Sequence, residues 1–173
     1  RFFRYTITKV ENLVSVEEEL DNCETYFGIQ KYRFGDRLKL HIQYDAEEYE
    51  RIMNCRIPKL TLQPLAENAL YHGIKNKRGK GKILITGKKQ GDKIIFQVID
   101  NGKGMTEEEL NSLRKKMAGT DTGDEEKGFG VSNVNQRIKY YYGEEYGVFF
   151  ESKENEGTNA TIIIAAKNIQ LLS

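Results

Sequence analysis

From Val16 onward the apolar residues fall at helical intervals. Val16, Leu20, Cys23 and Phe27 lie three or four apart, and Ser15-Val16-Glu17-Glu18 supplies a capping box in front of them. A helix over 16–34 follows, ending near Gly35-Asp36. The period then changes: Leu38, Leu40, Ile42 and Tyr44 alternate with Lys39, His41 and Gln43, which predicts a strand with one wet face and His41 turned to solvent. Leu62, Leu65, Ala66, Ala69 and Leu70 return to helical spacing and predict a helix ending at Gly73, with a kink at Pro64. Residues 82–88 and 93–100 are β-rich runs joined by Gln90-Gly91-Asp92, a hairpin signal. Thr106 caps a helix whose first turn is acidic and whose Leu110, Leu113 and Met117 share a face. Residues 118–130 are small, acidic and without apolar periodicity, and so predict a mobile loop. A helix bearing Val131, Val134, Ile138 and Tyr141 comes next, and the runs 148–153 and 158–166, turned by Glu154-Asn155-Glu156-Gly157, close the chain. The predicted fold class is α+β, a two-layer sandwich: about five strands, largely antiparallel, covered on one face by helices, with an N-terminal helical segment.

With 173 residues and 38% hydrophobic content, the chain supports one main domain. It opens Arg1-Phe2-Phe3-Arg4, which reads as a piece of a longer protein rather than a targeting segment. No apolar run approaches the roughly 20 residues of a membrane-spanning helix. The balance of 27 Lys and Arg against 26 Asp and Glu gives no bias toward nucleic acid or an anionic membrane. Cys23 and Cys55, far apart and without ligand-spaced neighbours, read as reduced thiols.

Candidate chemistry gathers in three places. Asp100-Asn101-Gly102-Lys103-Gly104 ends a predicted strand, where a buried carboxylate accepts a hydrogen bond from the exocyclic amine of adenine but faces a guanine carbonyl as acceptor against acceptor. Alone, the motif is a weak signal, and an ordinary strand-to-helix turn is its plainer reading. Gly128-Phe129-Gly130 precedes a helix, whose unpaired amides attract phosphate; the plainer reading is a flexible loop meeting a helix. Asn68 and His72 share a helix face, and an amide oxygen suits Mg²⁺, which takes few protein ligands; the alternative is simple packing. Neither a phosphate-loop Gly-x-x-x-x-Gly-Lys-Ser/Thr nor a dinucleotide-binding glycine pattern is present.

These pieces occur in one order: Leu62-Gln63-Pro64-Leu65-Ala66-Glu67-Asn68-Ala69-Leu70-Tyr71-His72-Gly73, then 100–104, then 128–133, then Gly157-Thr158. In that order the chain resembles the ATP-binding domains shared by gyrase, Hsp90, MutL and histidine kinases, and most closely the YesM/LytS-like sensor histidine kinases. The upstream Val16-Glu17-Glu18-Glu19-Leu20, Tyr26 and Arg33-Phe34-Gly35-Asp36-Arg37-Leu38 are similar to that class as well. The resemblance implies that ATP and Mg²⁺ bind, with Asn68 on the metal and Asp100 on adenine. It implies that Gly102, Gly104, Gly128 and Gly130 shape the nucleotide loops and that Thr158 supports adenine. His72, Lys75, Asn133 and Arg137 would lie near the phosphates, with Gly73, Asn101, Met105, Phe129 and Val131 also in the nucleotide site. Residues 118–127 would form the ATP lid, their acids facing solvent. The implied division is 1–34 for the end of a dimerisation region and connecting helix, 35–168 for the ATP-binding domain and 169–173 for a tail.

Two departures qualify the resemblance. ATP-hydrolysing relatives carry a water-activating glutamate four residues before the metal asparagine, but Pro64 stands there, which leaves no proton acceptor and implies slow hydrolysis. Glu67, about 100° round the helix from Asn68, is a poor geometric substitute. The class also carries a phosphoacceptor histidine on an upstream dimerisation helix, and neither His41 nor His72 matches it. No catalytic nucleophile is therefore expected within the chain. The implied partners are the dimerisation and phosphoacceptor region of the full-length chain, a homodimer in the full-length protein, and a response regulator; the implied setting is the cytoplasmic domain of a membrane-anchored sensor. A hydrolase of the gyrase, Hsp90 or MutL type is the competing enzyme reading. The lysines and arginine between positions 75 and 82 prompt a nucleic-acid reading, but they lack interleaved aromatics or a reading helix.

Overall fold

The computed structural model describes residues 13–75, 77, 79–119 and 129–166. Strand β1 (Leu13–Ser15) runs into helix α1 (Val16–Phe34), where the Ser15 hydroxyl accepts from the Glu18 N–H at 3.1 Å. This is the Ser15 half of the anticipated capping box, and the helix has the anticipated bounds. After a single 3₁₀ turn come β2 (Leu38–Tyr44), the short α2 (Tyr49–Met53) and β3 (Arg56–Pro58). Helix α3 (Gln63–Asn68) continues into a π-helical turn (Ala69–Ile74), which is followed by β4 (Gly81–Gln90), β5 (Lys93–Asp100) and α4 (Glu107–Met117). Helix α5 (Phe129–Tyr142), β6 (Gly147–Lys153) and β7 (Gly157–Ala165) complete the order. At α4 the capping box is reciprocal, Thr106 and Glu109 each bonding the other's backbone N–H.

The main sheet has the order β2-β4-β5-β7-β6, with β2 parallel to β4 and every other pair antiparallel. Alternation along β4, β5 and β7 buries Ile83, Ile85, Ile94, Phe96, Val98, Ala160, Ile162 and Ile164. Leu65 and Leu70 of the α3 segment and Val134 and Ile138 of α5 belong to the same core, as do Val16, Leu20, Cys23 and Phe27 of α1. Cys23 and Cys55 are free thiols. Among the described residues no helix is long and apolar enough to cross a membrane.

Four features differ from the sequence reading. Pro64 does not kink a helix: it occupies the first turn of α3, where its missing N–H would have had no partner inside the helix. The helix does not stop at Gly73, because the Lys75 N–H reaches back five residues to the Leu70 carbonyl at 2.9 Å and widens the last turn. Phe129 and Gly130 open α5 rather than ending the loop, most of which, 120–128, lies outside the described residues. A small antiparallel pair, β1 with β3, was not anticipated.

Candidate functional site

Asp100 is the last residue of β5, and the period of two that buries Ile94, Phe96 and Val98 carries it onto the same inner face. A carboxylate thus ends an apolar row with only 6% of its surface exposed. One carboxylate oxygen accepts from the Gly102 N–H at 2.8 Å. Burial pushes the carboxyl up to about 6, against the opposing pull of the Gly102 and Thr158 N–H groups and of Lys77.

The π turn brings Gly73 against this group. A Cβ on Gly73 would lie 2.6 Å from Asp100 Oδ1, and a Cβ on Gly102 would overlap the backbone of Gly73. The contact is fixed by the Lys103 N–H donating to the Gly73 carbonyl at 2.9 Å. Gly104 has φ +66° with its Cα side closed by the Lys153 carbonyl, so both conformation and space require glycine there. Gly102→Ala is expected to lower the unfolding temperature by on the order of 10 °C, since backbone on both sides must move. An unchanged melting curve would refute the close approach.

Thr158 lies opposite Asp100 in the β5–β7 register, and its hydroxyl pairs with the Ser152 hydroxyl at 2.8 Å. The same Ser152 hydroxyl takes the Met105 N–H at 2.8 Å, so Met105 is held beside the loop. At the other end of the helix, a Cβ on Gly130 would touch Pro64 at 3.7 Å. Helix α3 with its π turn therefore runs from the start of α5 to Asp100, carrying Asn68 and His72 between. Among the described residues the half-buried Asn68 side chain has no hydrogen-bond partner, whereas Glu67 accepts from Gln63 Nε2 at 3.1 Å.

Several candidates have other engagements. Asn101 is bound up with the backbone at the start of β4: its Oδ1 accepts from the Lys82 N–H at 2.8 Å and its amide donates to the Lys80 carbonyl at 3.4 Å. Lys75 Nζ sits 5.6 Å over the Tyr71 ring. Arg137, expected near the phosphates, donates instead to the Lys59 and Leu60 carbonyls at 2.8 and 2.6 Å, because α5 passes over that loop. In α5, Val131 is buried in the core and Asn133 is half-buried, while Gly128 and the Phe129 side chain lie outside what is described. His72 is exposed on the π turn, and His41 is exposed on β2 as anticipated.

Two polar residues escaped the sequence reading. Glu19, fully buried, was one of three acids in the first turn of α1; its signal was its place beside Leu20 on the stripe running from Val16 to Cys23. Asn135 joins three elements, its amide donating to the Met117 carbonyl at 3.4 Å and its Oδ1 accepting from the Val148 N–H at 2.9 Å. An open groove of about 380 Å³ between α1 and β2, lined in part by Phe27, Leu38 and Ile42, contains none of the site residues.

Comparison with known proteins matches this architecture. The catalytic domain of histidine kinase ThkA superposes with a TM-score of 0.62 at 18% identity, covering 89% of this chain and 95% of that one. Sensor histidine kinase YesM of Bacillus subtilis is 36% identical over 165 residues, covering 95% of this chain and 26% of YesM. Sensor protein LytS of Staphylococcus saprophyticus is 27% identical over 171 residues, covering 98% of this chain and 28% of LytS. The chain thus spans about a quarter of the length of these relatives. Residues 1–38 match the histidine kinase family. Residues 58–168, which contain α3, Asp100 with its glycines, and Thr158, match the histidine kinase-, DNA gyrase B-, and HSP90-like ATPases, and the chain belongs to that family.

Proposed function

We propose that this chain is the phosphoryl-donor part of a sensor histidine kinase, binding Mg-ATP and presenting it to a histidine on a dimerisation helix outside the chain. The observation that carries the reading is Asp100: a carboxylate buried at the end of an apolar strand row, held by the Gly102 N–H beside a backbone contact that excludes any Cβ. An acceptor so desolvated needs a donor, and the adenine amine supplies one. Thr158 supports the base from the next strand. Asn68 is the metal ligand, a role supported by an amide without a hydrogen-bond partner among the described residues and by the preference of Mg²⁺ for oxygen donors. When bound, Mg²⁺ would neutralise phosphate charge.

His72, Lys75 and Asn133 flank the phosphates in this reading, and Gly128 with Gly130 gives the amide-rich entry to α5. Steady hydrolysis is disfavoured because Pro64 offers no base and Glu67 is engaged by Gln63. The proposed division is 1–34, 35–168 and 169–173, supported by family matches over 1–38 and 58–168. The proposed partners are the upstream dimerisation region within a homodimer and a response regulator. Such a chain would stand on the cytoplasmic side of a membrane-anchored sensor, as suits relatives named as sensor kinases.

Nucleotide choice tests the reading. Calorimetric titration with Mg-ATP is expected to give an affinity at least about tenfold above that for Mg-GTP, whose carbonyl meets the carboxylate acceptor to acceptor. Equal affinities would remove Asp100 from base recognition.

A further inference from the structure

The loop leading into α3 is held from two sides. From beneath, the buried Glu19 carboxylate accepts from the N–H groups of Leu60 at 2.9 Å, Thr61 at 3.0 Å and Leu62 at 2.7 Å, with the Gln63 N–H farther off at 3.4 Å. The opening amides of a helix have no partners within it, and the N-cap residue Leu62 brings no side-chain acceptor. A residue 41 positions or more away supplies that acceptor, with a charge suited to the helix start. From outside, the Arg137 guanidinium forks onto the Lys59 and Leu60 carbonyls. Between them Leu60 is held at φ +62°, a conformation that a leucine keeps only when its surroundings impose it.

The two sides of this joint belong to different modules. Glu19 lies in the segment matched by the histidine kinase family, whereas the loop it caps opens the segment matched by the ATPase family. The attachment is continuous, because β1 pairs with β3 and the Val16 N–H donates to the Cys55 carbonyl at 3.0 Å.

We infer that Glu19 is a positioning residue for the nucleotide site: by capping the loop at residues 60–62 it fixes where α3, and with it Asn68, stands. Metal-dependent ATP binding then depends on how α1 is seated. By linkage, bound nucleotide in turn steadies α1 against the loop, so a shift imposed on α1 from upstream is read at the metal site. This rests on Asn68 as the metal ligand.

Calorimetry on the 173-residue chain, titrated with ATP in Mg²⁺ and again in EDTA, tests the inference in Glu19→Gln, Arg137→Lys and Asn68→Ala. Glu19→Gln turns an acceptor into a donor facing buried N–H groups, and is expected to lose about tenfold of its Mg-ATP affinity while the EDTA affinity, set by Asp100, moves less than about twofold. Arg137→Lys, which loses the fork without burying anything new, is expected to show the same selective loss at about threefold and decides the matter should Glu19→Gln fail to give a folded far-UV spectrum. Equal losses with and without metal, or a lowered melting temperature with Mg-ATP affinity intact, would overturn the inference. If Asn68→Ala loses its metal-dependent affinity and the other variants do not, Glu19 has no such role. If Asn68→Ala itself shows no selective loss, the metal assignment falls and takes the inference with it.

Discussion

Replacing Asp100 with Asn is expected to weaken ATP binding about a hundredfold near neutral pH and, in the nucleotide-free protein, to raise stability. The Asn oxygen can keep the Gly102 N–H bond, so the loop survives. Its amide then points a donor where the adenine amine also brings a donor, and two unsatisfied buried groups replace one hydrogen bond. Stability moves the other way because the wild-type carboxylate is desolvated. Its folded value, about 6 against an ordinary 3.8, means that the folded chain holds this proton more tightly than the unfolded chain. The contribution is therefore most favourable below the unfolded value and is lost as pH rises from about 4 to about 6. At neutral pH the ionised group costs on the order of 1 to 3 kcal/mol, which Asn avoids. Below about 6, protonation also competes with adenine, so wild-type ATP affinity should fall with pH relative to the variant, whose comparison cancels the nucleotide's own titration. Tight binding by the variant, or a lower melting temperature, would show that Asp100 serves the fold and not the ligand.

The parts of this architecture that were legible in the sequence are those whose signal is local. Ser15 and the stripe beginning at Val16 bound α1, and the alternation from Leu38 to Tyr44 bounds β2. Asp100 stood out because it heads the glycine-containing run Asp100-Asn101-Gly102-Lys103-Gly104 at the end of a predicted strand, and the parity it shares with Phe96 and Val98 buries it. Strands β1 and β3, with three residues each, are too short to show any period, and only their mutual pairing defines them. The π turn is invisible for a related reason: residues 69–74 read as helix, and only the five-residue reach of the Lys75 N–H to the Leu70 carbonyl marks the widening. Glu19 was hidden by a sufficient local explanation, since three acids in a first turn already complement the helix dipole. Its burial depends on a loop some forty residues away folding over it. Arg137 shows the same limit, because its position on α5 was readable while the carbonyls it reaches were not.

Phosphoryl transfer to histidine needs an imidazole in line with the γ-phosphate, and neither of the chain's two histidines, both among the described residues, is placed for that role. His41 lies on the exposed side of β2, a strand at the edge of the sheet, and His72 is fixed by the π turn one turn beyond Asn68. The chain is therefore expected to bind γ-labelled ATP without accumulating phosphohistidine, and to turn it over slowly, for Pro64 leaves the hydrolytic position without a base. Adding a separate polypeptide that carries the proposed dimerisation helices should restore labelling, the lone pair of an unprotonated imidazole nitrogen on that second chain forming the bond to the γ-phosphorus as the bond to ADP breaks and ADP leaves. The decisive measurement is the location of acid-labile, base-stable label after incubation with Mg²⁺ and γ-labelled ATP: on the added polypeptide alone if this chain is the donor. Label on the 173-residue chain itself, abolished by His41→Ala or His72→Ala, or rapid release of phosphate with no label on either chain, would contradict that division.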